Sequence, residues 1–268
     1  MITGLLAGYL REQARRAEDA LQRRVAELQD AYRDLAGAHE QLKTVDKLKT
    51  SFLTNVSHEL RTPLTSIRAF GEMLTAYELP REEVHEFGGV ITIESERLTR
   101  LVNDLLDLSK IEAGQMEWRF EPLDLTEVLR WCGRQIRPVL AAKGVVYLEE
   151  FEADLPAVEG DRDRLQQVIA NLLHNASKFT PSGSIALCAF ADEEALTVEV
   201  RDTGIGIPAS DLERVFDKFQ QVGDTLTDKP HGTELGLAIC RDIINYHNGR
   251  IWVESVLGQG SVFTFTLR

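Results

Sequence analysis

The chain has 268 residues, which is enough for about two domains of ordinary size. It carries 43 acidic and 30 basic residues, and the resulting net charge of −13 argues against a nucleic-acid partner. No stretch reaches the roughly 18 consecutive apolar residues of a membrane span. The three cysteines are scattered without metal-ligand spacing, which is typical of a reducing compartment. We therefore expect a cytoplasmic protein with no membrane segment in this chain.

The chain begins with a short apolar stretch and continues into a heptad repeat. Residues 1–10 lack the basic start of a signal peptide and could be the edge of a missing upstream domain, in which case the whole protein could be membrane-anchored. In residues 11–48 the apolar side chains alternate in steps of four and three. The positions are Leu21, Val25, Leu28, Tyr32, Leu35, His39 and Leu42. We predict a coiled-coil signalling helix over residues 1–48, as a parallel two-stranded coiled coil, with a solitary amphipathic helix as the alternative.

The heptad phase breaks where this helix approaches the next stretch. After Leu42 the apolar steps to Val45, Leu48 and Phe52 are three, three and four. Such a discontinuity locally rewinds a coiled coil. We hypothesise that the break lets rotation or unwinding upstream reach the helix that follows.

The stretch FLTNVSHELRTPL, residues 52–64, combines an amphipathic helix with an exposed imidazole. Its apolar residues recur at spacings of three and four and line one helix face, and His58 lies off that face and points outward. Glu59 is its neighbour, and Thr62 lies one turn on, close to the His58 side. Pro63 removes a backbone donor and should weaken or bend the helix at Glu59. With a reference pKa of about 6.5, a histidine is neutral often enough at cellular pH to act as a nucleophile.

The segment SHELRTPL, residues 57–64, resembles the H-box of sensor histidine kinases of the HisKA type. This resemblance is specific because it fixes six residue types at once. It implies that His58 accepts a phosphoryl group from ATP, with Glu59 as general base or as the group that orients the ring. It also places Thr62 at the family position linked to the reverse, phosphatase activity.

A second helix is predicted over residues 82–111, after a short connection that contains Pro80. Two helices with a short connection form an antiparallel hairpin. One hairpin buries only one side of each apolar stripe, so two hairpins are expected to form a four-helix bundle. We therefore predict a homodimer, with residues 49–116 as the dimerisation and histidine phosphotransfer hairpin.

Residues 117–268 alternate helical and strand patterns after an extended linker at 117–123. The pattern predicts a two-layer α/β sandwich, which makes the fold class α plus α/β. The predicted helices cover residues 125–142, 161–178 and 235–247, and the predicted strands cover 145–151, 184–191, 195–202, 250–255 and 261–268.

Three motifs in this part resemble the ATP-binding domain shared by histidine kinases, gyrase-like ATPases and MutL-like proteins. They are NLLHNASKFT (171–180), DTGIGIP (202–208) and GTELGLA (232–238), similar to the N-box, the G1 box and the G2 box. The sequence FDKF (216–219) resembles the F-box of a mobile ATP lid, which is expected to span residues 208–231. The chain has no GxxxxGK[ST] motif, so a P-loop is excluded.

This resemblance implies a site for ATP and Mg²⁺ in residues 117–268. Asn175 would be the Mg²⁺ ligand, with Asn171 supporting it and Lys178 near the phosphates. Asp202 would accept a hydrogen bond from the adenine amino group. The other implied nucleotide-binding residues are Gly204, Gly206, Phe219, Gly232, Thr233, Gly236 and Leu237.

Glu234 departs from the family pattern, because it stands where the G2 box usually has its middle glycine. Its Cβ disfavours a positive φ, and its charge is unfavourable beside phosphates. Two interpretations remain open. The residue is either a tolerated variant with its carboxylate turned to solvent, or the mark of a weakened or inactive kinase, natural or engineered.

The sequence thus predicts a histidine-kinase core that phosphorylates His58 from Mg²⁺-ATP. The phosphoryl group would pass to an aspartate of a response-regulator receiver domain that docks on the exposed His58 face, and an upstream sensor domain is expected outside this chain. One rival is a signalling scaffold or pseudokinase, which only Glu234 supports. The other rival is a gyrase-like or MutL-like ATPase, which the complete H-box and the net acidity disfavour.

Overall fold

The structure, a computed structural model, describes residues 2–192, 194–218 and 235–268. These residues form five helices and seven strands, and the chain divides into two compact units, Met1–Ser57 and His58–Arg268. The helices are α1 (Ile2–Ala76), α2 (Arg81–Glu112), α3 (Leu125–Lys143), α4 (Arg162–Phe179) and α5 (Gly236–Tyr246). The strands are β1 (Glu121–Leu123), β2 (Val146–Phe151), β3 (Val158–Gly160), β4 (Ser184–Ala191), β5 (Leu196–Asp202), β6 (Arg250–Val256) and β7 (Gly260–Leu267). A helical N-terminal region followed by an α/β domain is therefore confirmed.

The first unit consists of the N-terminal part of α1. The helix predicted from the heptad repeat is present, and the change of heptad phase after Leu42 falls within continuous helix. Leu28, Tyr32, Leu35 and Leu42, which occupy heptad positions, are all exposed. No helix within the described ranges combines the length and the apolar character that a bilayer crossing requires.

In the second unit, the C-terminal part of α1 and the helix α2 form the predicted antiparallel hairpin. The ring centroids of Phe70 and Phe87 lie 5.1 Å apart between the two helices. Pro63 is buried within continuous α1, although it cannot donate to the carbonyl of Glu59. One turn of the helix is supported locally, because the Thr62 hydroxyl donates to the carbonyl of His58 at 3.2 Å.

The remainder of the second unit is a two-layer α/β sandwich. Its five-stranded sheet has the order β2-β4-β5-β7-β6, in which only the β2–β4 pair is parallel. Helices α3, α4 and α5 contribute the fully buried side chains of Leu129, Leu172 and Ile239 to a common core with the sheet, which contributes Phe265 of β7. The last two strands form an antiparallel hairpin, since β6 pairs with β7.

A second, two-stranded sheet was not predicted. Strand β1 pairs antiparallel with β3, with Leu123 opposite Val158. Each strand has only three residues, which is too short for an alternation of apolar and polar positions to show in the sequence. The end of the predicted linker is therefore fixed to the residues that precede α4.

Two of the three described helices of the sandwich, α3 and α4, begin at an aspartate. The Asp124 carboxylate accepts a hydrogen bond from the Thr126 N–H at 2.8 Å, and Asp161 accepts from the Arg164 N–H at 3.2 Å. Both bonds satisfy donors that a helix N-terminus leaves without a helical partner. Asp161 is thus the N-cap of α4.

The hairpin helix α2 packs directly on the sandwich. Leu108 is buried in the same core as the helices of the sandwich. Beside it, the Asp107 carboxylate accepts hydrogen bonds from Arg164 at 2.7 Å and from Gln167 at 2.9 Å, both on α4. The α1–α2 hairpin and α4 are therefore in direct polar contact within one unit.

His247 joins three segments of the sandwich from a buried position. Its Nε2 accepts a hydrogen bond from the Asp161 N–H at 2.9 Å, and its Nδ1 lies 2.8 Å from the carbonyl of Ile243. The ring of Trp118 packs edge-on against it, with the centroids 5.9 Å apart. Burial lowers the pKa of His247, and the Ile243 carbonyl and Asp161 oppose that shift. The folded state therefore favours the neutral imidazole of His247, because Nε2 must be unprotonated to accept the Asp161 N–H.

We predict that acid destabilises the sandwich through His247. The unfolded chain has a histidine pKa of about 6.5 and binds more protons than the folded state just below that pH. The free energy of unfolding should therefore fall as the pH drops below this value towards the lower folded-state pKa. Urea titrations at several pH values, followed by the fluorescence of the three tryptophans, test this. His247→Gln should flatten the pH dependence, and the exposed control His85→Gln should leave it unchanged; an unchanged slope in His247→Gln would contradict the prediction.

Candidate functional site

His58 is exposed on α1, as the helical periodicity predicts. It lies at one end of an open groove of about 450 Å³ on the surface of the hairpin. The groove is lined by His58, Arg61, Thr62, Thr65, Ser66, Ala69 and Phe70. His58 and Thr62 are thus brought together on one accessible face of α1.

Glu59 is directed elsewhere. Its Oε2 lies 3.0 Å from Nη2 of Arg97 on α2, in an ion pair whose side chains are mostly buried. Neighbouring helical residues project about 100° apart, so a carboxylate that faces α2 does not face the ring of His58. Among the described residues, no hydrogen bond joins Glu59 to the imidazole. The partner Arg97 was not identified from the sequence, because 38 residues separate it from Glu59.

The N-box side chains lie on α4. The Asn171 amide donates to the carbonyl of Gly236 at 3.5 Å, which brings the N-box and the start of α5 together. Asn175 is half-buried, and it makes no hydrogen bond with another residue of the described ranges. The Lys178 ammonium lies over the ring of Phe179, 4.6 Å from its centroid.

The loop after β5 forms a tight junction with the end of α4. A Cβ on Gly204 would overlap the carbonyl oxygen of Phe179 and would lie 2.8 Å from Oδ1 of Asp202. The same Phe179 carbonyl accepts a hydrogen bond from the Ile205 N–H at 3.1 Å. Only a residue without a side chain permits this close approach.

The other side of this loop contacts the β6–β7 hairpin. Gly206 has a φ of +69°, and a Cβ there would overlap the carbonyl oxygen of Val256. The Gly258 N–H donates to the carbonyl of Ile205 at 2.7 Å. Both glycines of the G1 motif are therefore required by the backbone path.

Asp202 is a buried carboxylate at the end of β5. Its Oδ1 accepts a hydrogen bond from the Gly204 N–H at 2.8 Å. Burial raises the pKa of Asp202, and the Gly204 N–H opposes the shift by stabilising the charged form. Ser261, opposite Asp202 in the β5–β7 ladder, also lowers the pKa of this carboxyl. Ser261 was not identified from the sequence, since it lies outside the motifs.

The remaining motif residues lie around α5. Phe216 is buried, with its ring 6.2 Å from that of Phe263. Lys218 forms ion pairs with Glu112 at 3.0 Å and with Asp242 at 3.3 Å, on α2 and α5. Gly236 and Leu237 begin α5. Four residues singled out in the sequence lie outside the described residues, namely Phe219, Gly232, Thr233 and Glu234.

Two family models match the chain in the places where these features lie. Residues 48–114 match HisKA, the His Kinase A (phospho-acceptor) domain. Residues 160–268 match HATPase_c, the histidine kinase-, DNA gyrase B-, and HSP90-like ATPase family. The first match covers the hairpin with His58, and the second covers α4 and all that follows it.

Curated relatives and solved structures agree with these models. Sensor histidine kinase RcsC of Escherichia coli K12 is 41% identical over 240 residues, which is 88% of this chain and 25% of RcsC. Sensor histidine kinase WalK of Bacillus subtilis is 38% identical over 231 residues, 83% of this chain and 37% of WalK. The chain therefore spans only between a quarter and two fifths of the length of these relatives.

Two solved structures share the fold over most of the chain. Full-length ShkA in complex with AMPPNP has a TM-score of 0.61 and 29% identity, covering 80% of this chain and 45% of ShkA. Histidine kinase ThkA in complex with response regulator protein TrrA has a TM-score of 0.60 and 28% identity, covering 80% of this chain and 60% of ThkA. Together with the two family models, these likenesses show that the chain belongs to the sensor histidine kinases of the GHKL superfamily, with a HisKA domain followed by a HATPase_c domain.

Proposed function

We propose that this chain is the catalytic core of a sensor histidine kinase, which phosphorylates His58 from ATP and passes the phosphoryl group to an aspartate of a response-regulator receiver domain. The observation that carries the proposal is the exposed imidazole of His58 in an open groove, within the same unit as the junction of α4 and the G1 loop. We assign residues 1–48 to a coiled-coil signalling helix, 49–116 to the phosphotransfer hairpin and 117–268 to the ATP-binding domain.

The junction between α4 and the loop after β5 fits a nucleotide. Asp202 supplies a buried acceptor for an adenine amino group, and its Oδ1 is already oriented by the Gly204 N–H. The glycines at 204 and 206 keep the loop free of side chains, which lets backbone approach a ligand closely. The AMPPNP complex of the similar kinase ShkA supports an adenine nucleotide as the ligand. The G2-box residues Gly236 and Leu237 would border the same site.

The residues on α4 also fit a magnesium ion. Asn175 presents a neutral amide oxygen that no described side chain occupies, and Asn171 is fixed behind it by its contact with Gly236. Mg²⁺ prefers such oxygen ligands and keeps several waters. When bound, the ion would offset phosphate charge during transfer. Lys178, one turn from Asn175, would add positive charge on the same side of the site.

The reacting groups of the hairpin have distinct tasks. An unprotonated ring nitrogen of His58 bonds to the γ-phosphorus as the bond to ADP breaks, and the proton on the other ring nitrogen moves to Glu59. Thr62 lies in the same groove as His58, where its hydroxyl could position a water in the reverse reaction. A receiver domain would dock over this groove, and the ThkA–TrrA complex supports a partner of that kind.

We also propose that two chains form the active dimer. On α2, the exposed side chains of Val84 and Val102 are 18 residues apart, which is about five helical turns, so they share one face with the exposed Leu106. Leu64 of α1 is exposed as well. A second hairpin would bury these residues in a four-helix bundle, and the exposed heptad positions of the first unit would pair in a coiled coil.

The alternative is a weakened pseudokinase or signalling scaffold. It rests on Glu234, where the G2 box of the family has a glycine. Nothing else in the site favours it, because the H-box, N-box and G1 residues are all present. A location in the cytoplasm, where ATP is available, stays a prediction.

We predict that the chain incorporates acid-labile label from γ-labelled ATP with Mg²⁺. His58→Ala should lose the label entirely, because no other residue supplies this nucleophile, and the exposed control His85→Gln should keep it. Glu234→Gly measured in parallel separates the two interpretations of Glu234. Equal label in both forms means a tolerated variant, and label only after the substitution means a kinase silenced at this residue. Absence of label from every form would contradict the proposal and favour the scaffold.

We predict that Gly204→Ala weakens ATP binding by about tenfold or more, which corresponds to roughly 1.4 kcal/mol. The added Cβ would overlap the Phe179 carbonyl, so the loop must shift and Asp202 must move with it. Calorimetric titration with Mg²⁺-ATP measures the affinity, and circular dichroism checks that the variant is folded. Gly89→Ala on α2, where a Cβ meets no neighbour, is the matched control and should bind as the unchanged chain does. Unchanged affinity in Gly204→Ala would exclude this loop from the nucleotide site.

We predict that Val102→Glu weakens dimerisation by about a hundredfold or more, because the bundle would bury an unpaired carboxylate. The matched control is Ile93→Glu, an exposed apolar position nine residues away and therefore on the opposite face of α2. Sedimentation equilibrium should find Val102→Glu monomeric at concentrations at which the control is dimeric. Equal behaviour of the two variants would contradict the proposed bundle face.

A further inference from the structure

Arg97 lies between two carboxylates. Its Nη2 is 3.0 Å from Oε2 of Glu59 on α1, and its Nη1 is 3.7 Å from Oε2 of Glu94 on its own helix. The exposed fraction is 18% for the Arg97 side chain and 25% for that of Glu59, so solvent screens this pair less than a surface pair. Only the contact with Glu59 is a hydrogen bond.

Of the two carboxylates, that of Glu94 lacks the hydrogen bond from Arg97 that the Glu59 carboxylate accepts. The Oε2 of Glu94 is buried and, within the described part of the chain, accepts no hydrogen bond. A buried carboxylate oxygen without a donor is costly, and the guanidinium of Arg97 is its nearest cation. The Glu94 carboxylate is therefore a second binding partner for the guanidinium of Arg97, close to its present position beside Glu59.

The position of Glu59 conflicts with the task that the proposed function gives it. Its carboxylate is held towards α2, whereas His58 is exposed on another side of α1. For Glu59 to accept a proton from the imidazole, it must first leave Arg97.

The backbone at this point is suited to such a movement. Pro63 has no N–H, so the carbonyl of Glu59 lacks the donor that a regular helix would supply four residues on. The Thr62 hydroxyl strengthens the preceding carbonyl, that of His58, at 3.2 Å. The helix therefore lacks one backbone hydrogen bond at the residue whose side chain has to turn.

We propose that Arg97 is a positioning residue that sets the availability of Glu59 for phosphorylation of His58. While the guanidinium holds Glu59, the carboxylate is kept from the imidazole. When the guanidinium moves to Glu94, Glu59 is released and takes the ring proton as the N–P bond forms. This inference rests on the proposed function, since it needs His58 to be the phosphoacceptor.

The test measures autophosphorylation kinetics of the full chain with γ-labelled ATP. Arg97→Met should raise kcat about threefold or more and leave KM for ATP unchanged, because Glu59 is released while the nucleotide site is untouched. Arg97→Lys, which keeps the charge, should restore a rate near that of the unchanged chain. Glu94→Gln removes the charge of the second carboxylate to which the guanidinium can move, and it should therefore lower kcat. The matched control is Arg68→Met, which removes an exposed arginine paired with Glu72 at 3.6 Å and should change nothing.

The decisive comparison is made in a Glu59→Gln background, where Arg97→Met should have no further effect on kcat. An effect of equal size there, a lower kcat in Arg97→Met, or a raised KM would each overturn the inference, because Arg97 would then act on the fold and not through Glu59. A chain that takes no label on His58 would overturn the proposed function and the inference together. If Arg97→Met fails to fold by circular dichroism, Arg97→Gln takes its place.

A second measurement does not depend on activity. Urea unfolding of the helical signal is compared for Arg97→Met, Glu59→Gln and the double variant. We expect the double variant to lose less stability than the sum of the single variants, which demonstrates that the two side chains interact in solution. Additive losses would overturn the inference even if the chain is an active kinase.

Discussion

The close approach of the loop after β5 to the end of α4 is the contact on which the ATP-binding domain depends. The carbonyl of Phe179 ends the helix, accepts the Ile205 N–H, and lies so near Gly204 that a side chain there would overlap it. This one contact joins the helix that carries Asn171 and Asn175 to the loop that carries Asp202. The relative placement of the two motifs is therefore fixed by backbone contacts.

A second constraint connects this domain to the hairpin. Asp107 of α2 accepts hydrogen bonds from Arg164 and Gln167 near the start of α4, and Lys218 pairs with Glu112 near the end of α2. The face of α2 that makes these contacts is separate from the exposed stripe that contains Val102. The hairpin therefore has one face for the sandwich and another for the proposed second chain.

On α1, the turn of the helix decides which of two neighbouring residues meets solvent. His58 and Glu59 project about 100° apart, so the side that exposes the imidazole directs the carboxylate to Arg97 on α2. The 100° rotation per residue of the helix therefore explains both the exposure of His58 and the ion pair of Glu59 with Arg97. Adjacency in the sequence therefore does not place the Glu59 carboxylate beside the imidazole of His58.

Most helices and strands, and most of their boundaries to within a residue or two, could be predicted from the sequence, because they follow from local periodicity, capping and short patterns. The prediction missed the three-residue strands β1 and β3, which are too short to show a period. Contacts between distant groups, such as the pairs Glu59–Arg97 and Asp161–His247, became apparent from the packing of the folded chain and not from the sequence. The partners in these pairs are 38 and 86 residues apart, and no local pattern specifies which charged or polar side chain packing will place opposite another.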